Sequence, residues 1–261
     1  MTAPTPVQSS ERPGFGTQRV AHVSSPALPG EVHVWRVPLE CAPREIGHLN
    51  GLLNTGERER ASRFVFPRDR DHFIAARGRL RLLLGQYLRA DPAALDFRYG
   101  HAGKPQLEGS DFPFSVSHSA GLALIALGGP GRLGVDVERI RPRRNPDSFR
   151  HVLAPAEEAA IDALAPELRE RAFFACWTRK EAYLKGRGDG LGFGLDRFEV
   201  SVRPDSPAKL LRVPGDPDET LRWELHSLDF EPEYAAALAI EGHGCVLLCF
   251  DWGIDQKGAA V

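Results

Sequence analysis

The stretch of sequence that says most about the fold is Phe173-Phe-Ala-Cys-Trp-Thr-Arg-Lys-Glu-Ala-Tyr-Leu-Lys185. It lies in a predicted helix that runs from about Glu167 to Lys185. Within it Phe173, Trp177 and Leu184 stand at i, i+4 and i+11, which places three apolar side chains on one helical face. The pattern therefore predicts a long helix that packs one face into a core.

A carboxylate, Glu181, borders this apolar face, four residues after Trp177 and three before Leu184. A carboxylate beside a core is costly unless it is paired, hydrogen-bonded or bound to a metal ion. Lys185 lies one turn further along the helix, so an ion pair between i and i+4 is one explanation. A metal ion bound by Glu181 is the other, and both give this residue a fixed place.

Two further carboxylates alternate with valines in a predicted strand that precedes this helix, Leu133-Gly-Val-Asp-Val-Glu138. Because side chains alternate between the faces of a strand, Asp136 and Glu138 share one face and the valines share the other. Residues two apart on a strand lie roughly 6.5–7 Å from each other, which is near enough to share a metal ion or its water shell. The alternative is a polar strand face in contact with water.

Asp136, Glu138 and Glu181 together form an oxygen-rich set on two elements, which suits a hard divalent cation. Magnesium keeps several water ligands and binds one or two carboxylates together with phosphate oxygens. Nitrogen and sulfur ligands at zinc spacing are missing, since the nine histidines form no His-Glu-x-x-His motif. We therefore expect Mg²⁺ and a phosphate-containing substrate.

Two upstream segments carry residues suited to binding phosphate. Ser117-His118-Ser119 ends a predicted strand that begins at Phe114, and its hydroxyls and imidazole can donate to a phosphate oxygen. A turn capped by small hydroxyl residues is the alternative for this segment. Lys104, in Gly103-Lys-Pro105, is expected on a stiff turn with its ammonium pointing outward, where a solvated loop lysine would look the same.

The remaining pattern predicts a mixed α+β chain in two halves of similar size. The glycine-rich stretch Gly128-Gly-Pro-Gly131 separates an N-terminal lobe, 31–130, from a C-terminal lobe, 131–252. Flexible tails are expected at 1–30 and 253–261. The other predicted elements are strands at Glu31–Val37, Leu122–Leu127, Phe198–Val202, Leu221–Leu225 and Tyr234–Ile240, with helices at about Arg58–Leu88 and Pro155–Leu164.

Composition and charge exclude several classes of protein. The chain has 261 residues, 42% of them hydrophobic, and 33 basic against 35 acidic residues give a net charge of −2. These figures are typical of a soluble globular protein, and they indicate neither nucleic acid nor a membrane surface as partner. No apolar run reaches the roughly 18 residues of a membrane span, and no secretory signal follows Met1. The four scattered cysteines form no disulfide framework or zinc site, so we expect a cytoplasmic protein.

Four of these motifs, in this order, resemble those of the Sfp-type 4′-phosphopantetheinyl transferases. The resemblance runs from about Val32 to Phe250, which is nearly the whole chain between the predicted tails. Each motif alone is common, but four in order at ordinary spacing are specific. The matching segments are Gly103–Pro105, Phe114–Ser119, Gly134–Glu138 and Trp177–Lys185.

The resemblance implies a fold and a reaction. The fold is a pseudo-dimer of two similar α+β lobes, and coenzyme A binds in the cleft between them, where the active site lies. The reaction passes the 4′-phosphopantetheine arm of coenzyme A to a serine hydroxyl of an apo acyl or peptidyl carrier protein, as a holo-[acyl-carrier-protein] synthase does. It depends on Mg²⁺ and releases adenosine 3′,5′-bisphosphate. A two-lobed monomer of this type usually serves polyketide or nonribosomal peptide synthases.

The resemblance also assigns roles to single residues. Asp136, Glu138 and Glu181 would surround Mg²⁺ at the pyrophosphate. Glu181, or else Glu138, would take the proton from the carrier serine. The other residues expected at coenzyme A are Lys185 and His118, which would contact its phosphates and act in catalysis, and Lys104 and Ser117, which would help hold the nucleotide.

Members of this family commonly carry basic residues before the first long helix that grip the 3′-phosphate of the nucleotide. In the plainest register Arg60 matches one of them, but Glu57 stands where another is expected. Arg58 or Arg63 would substitute for the missing base, and Arg77 or Arg81 would reach in from the helix.

Charge is unevenly distributed along the chain, which the near-zero total hides. Between residues 58 and 89 nine arginines stand against three acidic residues. This first basic patch would face the phosphates of coenzyme A. A second basic run, Arg139–Arg144, would receive an acidic helix of the carrier protein. A solvated face is the alternative for both.

Two other functions would use the same residues. A magnesium phosphodiesterase acting on coenzyme A or nucleotides would turn over without any protein acceptor. A catalytically silent docking module would bind a carrier protein without chemistry, but such a module has no need of a costly carboxylate beside Trp177.

Overall fold

The computed structural model of this chain describes residues 29–100, 103–142, 152–188 and 190–253. Apart from residues 29–30 and 253, the predicted tails lie outside the described residues, and so do Arg143 and Arg144. Within the described ranges no helix is long and apolar enough to cross a membrane.

Helices and strands follow one another in a mixed order through these ranges. The helices are α1 (Pro43–Leu52), α2 (Thr55–Ser62), α3 (Pro67–Leu88), α4 (Pro155–Asp162), α5 (Pro166–Arg187) and α6 (Glu219–Arg222). The strands are β1 (Glu31–Pro38), β2 (Phe97–Tyr99), β3 (Pro105–Leu107), β4 (Phe114–Ser119), β5 (Leu122–Gly128), β6 (Leu133–Arg139), β7 (Glu199–Val200), β8 (Leu210–Arg212), β9 (Trp223–Ser227), β10 (Tyr234–Glu241) and β11 (Val246–Asp251).

Two long helices, α3 and α5, each cover one face of a separate sheet. The first sheet has the strand order β11-β1-β5-β4, and the second has the order β6-β10-β9. In β1, Trp35 and Val37 belong to the core beneath α3, whereas Val32 and Val34 point to the other side of the sheet. The strand predicted at Glu31–Val37 is therefore confirmed, but both of its faces are buried.

The second face of each sheet contributes to one shared apolar core. Val34 and Leu124 of the first sheet lie in this core with Val135, Val137 and Leu238 of the second. The layers thus run α3, first sheet, second sheet, α5. The α+β class and the two lobes of similar architecture predicted from the sequence are confirmed.

The second long helix lies directly against β6. A Cβ atom on Gly134 would overlap the carbonyl oxygen of Ala182 and the amide nitrogen of Gly186. Glycine permits this approach because it has no side chain. The contact holds the last turn of α5, which carries Lys185, over the polar face of β6.

The predicted helix Arg58–Leu88 is wrong in one respect, because the structure has two helices there. Helix α2 ends at Ser62 and α3 begins at Pro67. Proline has no amide hydrogen and disfavours helical geometry at the residue before it, so it begins a helix readily and does not continue one. Phe64 lies in the link between the two helices.

The last strand departs from the predicted division of the chain. β11 pairs in parallel with β1, and Phe250 stacks on Trp35 with their ring centroids 4.9 Å apart. The sequence pattern assigned 131–252 to the C-terminal lobe, whereas the structure places this strand in the sheet of the N-terminal half. The chain end therefore crosses back and ties the two lobes together.

Candidate active site

Three serines of β4 face the polar edge of β6 and join the two sheets. The Ser115 hydroxyl accepts the Val135 amide at 3.1 Å, and the Ser119 hydroxyl accepts the Arg139 amide at 3.2 Å. Ser117, between them, donates to Asp136 Oδ1 at 2.8 Å. Every second residue of β4 thus bonds to β6 through its hydroxyl, Ser115 and Ser119 to the backbone and Ser117 to a side chain.

Asp136 is paired across the cleft with the end of α5. The Lys185 ammonium lies 2.6 Å from Asp136 Oδ1 and also donates to Ser117 Oγ at 2.8 Å. The ion pair considered from the sequence, between Glu181 and Lys185, is therefore replaced by one between Asp136 and Lys185. Asp136 Oδ2 is buried and has no hydrogen-bond partner. This carboxylate retains one free oxygen at the centre of the cleft.

The other two predicted carboxylates lie close enough to influence Asp136 and each other. Burial raises the pKa of Glu181, and the negative charges of Asp136 and Glu138 raise it further, against the opposing charge of Lys185. Burial also raises the pKa of Glu138, although Ser119 donates a hydrogen bond to its Oε2 at 2.8 Å. The structure thus brings Asp136, Glu138 and Glu181 into one acidic group.

This acidic group fits a hard cation in its chemistry. All its donors are carboxylate oxygens, one of them is buried without a partner, and two of the acids resist ionisation where they stand. A divalent cation would satisfy the free oxygen and relieve the repulsion between the carboxylates. Within the described residues, however, no three acidic, histidine or cysteine side chains already form a group that could hold a metal ion. The Lys185 ammonium supplies the positive charge beside Asp136.

His118, which follows Ser117 in β4, lies within electrostatic reach of Lys185. Partial burial and the positive charges of Lys185, His72 and Arg60 lower the pKa of its imidazole. These charges also show that Arg60, although distant in sequence, lies within electrostatic reach of the end of β4. An anion bound here would be attracted by several cationic groups at once.

A cavity of about 580 Å³ opens beside α2 and borders Arg60. Arg77 supports its aromatic wall: the guanidinium lies 4.8 Å from the centroid of the Phe97 ring and donates to the Tyr99 hydroxyl at 2.9 Å. The residues that line the cavity are Asn54, Thr55, Gly56, Glu57, Arg60, Phe97 and Tyr99.

Glu57, the residue that departs from the family pattern, has a structural role. Its side chain and that of Asn54 form a reciprocal cap at the start of α2. Its carboxylate also lies 2.8 Å from the fully buried Arg81 and 3.4 Å from Arg77. Arg81 donates further to two backbone carbonyls, so the suggestion that it reaches the nucleotide is wrong.

The remaining predicted bases differ in exposure and in the hydrogen bonds that they already make. Arg58 is exposed but donates to the carbonyl of Leu53. The outward ammonium expected for Lys104 is wrong, because its Nζ donates to Leu133 O at 2.9 Å and lies 3.4 Å from Gly186 O. Burial, helped by the charge of Arg132, lowers the pKa of Lys104 to about 8. Lys104 thus links the N-terminal lobe to the start of β6 and the end of α5.

Sequence reasoning missed the roles of several residues here. Ser115 and Ser119 were visible in the alternation of Phe114–Ser119, but the strand they bridge to could not be read from it. Lys180, three residues after Trp177, is fully buried against Glu157 at 2.6 Å and donates to two backbone carbonyls. It therefore anchors the helix.

The two lobes thus bring together an acidic group and several cations, the kinds of side chain that bind a metal ion and a phosphate-containing ligand. Residues 40–128 match the family described as 4′-phosphopantetheinyl transferase, N-terminal, and residues 132–239 match the 4′-phosphopantetheinyl transferase superfamily. The chain is 37% identical over 222 residues to the 4′-phosphopantetheinyl transferase HetI of Nostoc sp., covering 83% of this chain and 90% of HetI. It is 31% identical to a phosphopantetheinyl transferase of Thraustochytrium sp., covering 82% of this chain and 80% of that one.

This chain therefore belongs to the 4′-phosphopantetheinyl transferase superfamily, and its resemblance to the Sfp-type members is confirmed. Among solved structures it is similar to holo-[acyl-carrier-protein] synthase of Thermotoga maritima, with a TM-score of 0.33, 19% identity and coverage of 43% of this chain and 64% of that one. A coenzyme A complex of the synthase from Chronobacterium ammoniagenes matches with a TM-score of 0.31, 20% identity and coverage of 41% and 93%.

Proposed function

We propose that this chain transfers the 4′-phosphopantetheine arm of coenzyme A to a serine hydroxyl of an apo acyl or peptidyl carrier protein, with Mg²⁺, as a holo-[acyl-carrier-protein] synthase does. The observation that carries the proposal is Asp136. One of its oxygens is bound by Lys185 and Ser117, and the other is buried and free beside Glu138 and Glu181. A carboxylate left half satisfied in this way is suited to a cation that arrives with a phosphate substrate.

Asp136, Glu138 and Glu181 would hold Mg²⁺ at the pyrophosphate of coenzyme A. Bound there, the ion would neutralise charge on the phosphate oxygens. Ser117 and Ser119 orient two of these carboxylates by donating hydrogen bonds to them. Binding of a metal ion would draw the three carboxylates closer together, starting from two whose orientation is already held by a serine.

Lys185 and His118 would contact the phosphates. The Lys185 ammonium already stands between Asp136 and Ser117, where a pyrophosphate bound to the acidic group would meet it. His118 can donate a hydrogen bond from its ring, and an anion beside it would raise the pKa that its cationic neighbours lower. Both groups would stabilise charge that develops on the leaving group.

The reaction forms one phosphorus–oxygen bond and breaks another. The serine oxygen attacks the phosphorus that bears the pantetheine arm. The bond from that phosphorus to the bridging oxygen breaks, and its electron pair leaves on adenosine 3′,5′-bisphosphate. Glu181, or Glu138, would take the serine proton, since burial raises the pKa of both carboxylates toward the range of a useful base.

The nucleotide end of coenzyme A would lie toward the cavity beside α2. Arg60 borders this cavity and Arg77 backs its aromatic wall, which offers a base and a ring surface for an adenosine phosphate. Arg58 would approach the 3′-phosphate only by leaving the Leu53 carbonyl. Lys104 would act through the position of the end of α5, to which it donates.

The acceptor would be a carrier protein of a polyketide or nonribosomal peptide synthase. Its acidic helix would meet the basic run Arg139–Arg144, of which Arg139 and Arg141 are exposed. We propose a monomer that acts in the cytoplasm and binds neither nucleic acid nor membrane. The near-neutral net charge of −2 supports the last part of this proposal.

Intact-protein mass spectrometry tests the proposal. An apo carrier domain incubated with the enzyme, coenzyme A and Mg²⁺ should gain the mass of phosphopantetheine, and it should gain nothing when Mg²⁺ is chelated. The Glu181→Gln variant should lose most of this activity, while Glu167→Gln, an exposed change on the same helix, should keep it. Release of adenosine 3′,5′-bisphosphate without any acceptor would instead indicate a phosphodiesterase.

A further inference from the structure

Three consecutive large apolar side chains are exposed in the link between α2 and α3. Phe64 is 38% exposed, Val65 85% and Phe66 67%. They account for three of the eight large apolar side chains that are exposed within the described residues. Single exposed hydrophobic residues are ordinary, but a contiguous group is a feature of interaction sites. We call these three residues the apolar link.

The local structure holds the apolar link in place. Phe64 packs its ring against Phe73 of α3 with centroids 5.5 Å apart, which anchors one end. Phe66 is the N-cap of α3, and Pro67 is the first residue of the helix. The link is therefore pinned at both ends, while Val65 and Phe66 project into solvent. A pre-ordered surface loses little conformational entropy when a partner binds.

The apolar link lies beside the turn that carries the active-site strand. Arg68 and His72, on the first turns of α3, reach Glu40 at 3.2 and 3.1 Å. The same two side chains lie against Gly121, since a Cβ atom there would be 3.7 Å from His72 and 3.9 Å from Arg68. Gly121 belongs to the β4–β5 turn, which directly follows His118 and Ser119.

The opposite flank of this turn carries two arginines, Arg139 and Arg141, near the carboxylates of Glu231 and Glu233. The Ala120 carbonyl accepts the Tyr234 hydroxyl at 3.1 Å, and Ser119 accepts the amide of Arg139. Arg139 and Arg141 are exposed on this flank. The turn therefore separates the apolar link on one side from a pair of arginines on the other, with the acidic group of the cleft beneath it.

We propose that the apolar link is a docking surface for the acceptor protein, which would place an apolar side chain on Val65 and Phe66 and acidic side chains toward Arg139 and Arg141. The inference rests on the proposed function, because only an acceptor that brings its serine into the cleft needs to bind on both sides of this turn. Apolar contact at the centre and charge at the rim is the usual composition of a specific interface. Arg68 and Arg70 already pair with Glu40 and Asp71, so the basic side is the Arg139 flank.

The test compares a Val65→Ser, Phe66→Ser double variant with a matched control, Leu221→Ser. Leu221 is 70% exposed on α6, so its change removes exposed apolar surface away from the apolar link. We expect KM for the apo carrier protein to rise about tenfold in the double variant, equivalent to about 1.4 kcal/mol. The dissociation constant for coenzyme A, measured by calorimetry, should stay at the wild-type value in both proteins, as should the thermal midpoint.

Three results would overturn the inference. The carrier KM of the double variant could equal that of Leu221→Ser, or its affinity for coenzyme A could fall while its carrier KM rises. The wild type could bind vesicles of phosphatidylglycerol and phosphatidylcholine through Val65 and Phe66 while carrier KM is unaffected, which would make the link a membrane contact. Binding of a carrier whose acceptor serine is replaced by alanine separates docking from transfer. If the double variant binds this carrier more weakly than the wild type does, the inference is supported even if no transfer occurs. If the binding of this carrier is unchanged, the inference is contradicted.

Discussion

Asp136 is held from both lobes at once, by Ser117 of β4 and by Lys185 of α5. One of its oxygens is paired, and the other is buried without a hydrogen-bond partner. A buried carboxylate with only one satisfied oxygen is costly in a protein that binds nothing there. At the scale of the residue, the cost is consistent with a site that is completed by a ligand.

Ser119 is the residue that orients Glu138, and its removal is a direct test of that role. Ser119→Ala deletes the hydrogen bond to Glu138 Oε2 and leaves the Arg139 amide without its acceptor. We expect the half-saturating Mg²⁺ concentration in the transfer assay to rise by at least about tenfold, the scale found for residues that orient metal ligands. Thermal stabilisation of the free protein by Mg²⁺ should weaken in parallel.

Two variants bracket that result. Ser119→Thr keeps the hydroxyl and should restore the Mg²⁺ response. Ser62→Ala removes an exposed hydroxyl that bonds only to the carbonyl of Glu59, so it should change nothing. An unchanged Mg²⁺ requirement in Ser119→Ala would mean that Glu138 is oriented without this serine.

His33 makes the stability of the fold depend on pH. Burial lowers its pKa, and its Nδ1 lies 2.6 Å from the Tyr87 hydroxyl. The unfolded chain therefore binds a proton more readily than the folded one. The contribution of His33 to stability is complete above about pH 6.5 and is lost as the pH falls through the lower folded-state pKa.

Urea unfolding at a series of pH values checks this dependence. Between pH 6.5 and 5 the free energy of unfolding of the wild type should fall with a slope of at most about 1.4 kcal/mol per pH unit from this one group. The His33→Gln variant should be less stable at pH 7.5 but show a shallower slope. Part of the slope should remain, because burial also lowers the pKa of His226. Parallel curves for variant and wild type would contradict the assignment.

At the scale of the element, the approach of α5 to β6 places Lys185 beside Asp136. Gly134→Ala would force the backbone of Ala182 and Gly186 away from the strand. Backbone cannot yield as the end of a flexible side chain can, so we expect a loss of about 3 kcal/mol in the free energy of unfolding. Transfer activity should fall further than stability alone explains, since the ion pair between Lys185 and Asp136 would be displaced.

Gly47→Ala is the matched control for that change. It lies inside α1 with nothing within 4 Å of the added methyl group. Alanine is the better helix former, so this variant should be more stable by about 0.5–1 kcal/mol. Guanidinium titrations of the two variants should therefore move in opposite directions, and equal shifts would show that the α5–β6 contact is not as close as described.

Elements were predictable from the sequence where their pattern was local. The period of two in Leu133–Glu138 and the spacing of Phe173, Trp177 and Leu184 depend only on each element's own repeat, and the three carboxylates on them do lie within electrostatic reach of one another. The partner of Lys185 was not predictable, because the nearest carboxylate in sequence is Glu181, whereas the nearest in space belongs to another element.

The first basic patch also shows that contacts between distant segments could not be predicted from the sequence. Nine arginines between residues 58 and 89 suggested a surface facing phosphates, but Arg77, Arg79 and Arg81 are buried. They bond to Glu57, Glu45 and backbone carbonyls of other segments. Counting charges along a chain cannot separate a surface base from a buried one that has found its acid at a distance.

At the scale of the whole molecule, β11 joins the end of the chain to its first strand. Phe250 of β11 stacks on Trp35, and Arg36 is paired with Asp251 at 2.6 Å. The sheets of both lobes also share the apolar core between them. Neither lobe is therefore closed without the other, and the cleft between them is held by the same contacts that stabilise the fold.

If the fold is cooperative in this way, a destabilising substitution in β11 should also destabilise the C-terminal lobe. Phe250→Ala removes a buried ring and should lower the free energy of unfolding by about 3–4 kcal/mol. Because the shared core couples the sheets, amide hydrogens of β10, in the C-terminal lobe, should lose protection from exchange together with those of β1. Hydrogen-exchange mass spectrometry measures this protection strand by strand. If protection were lost in β1 and β5 but kept in β10, the two lobes would unfold independently of each other.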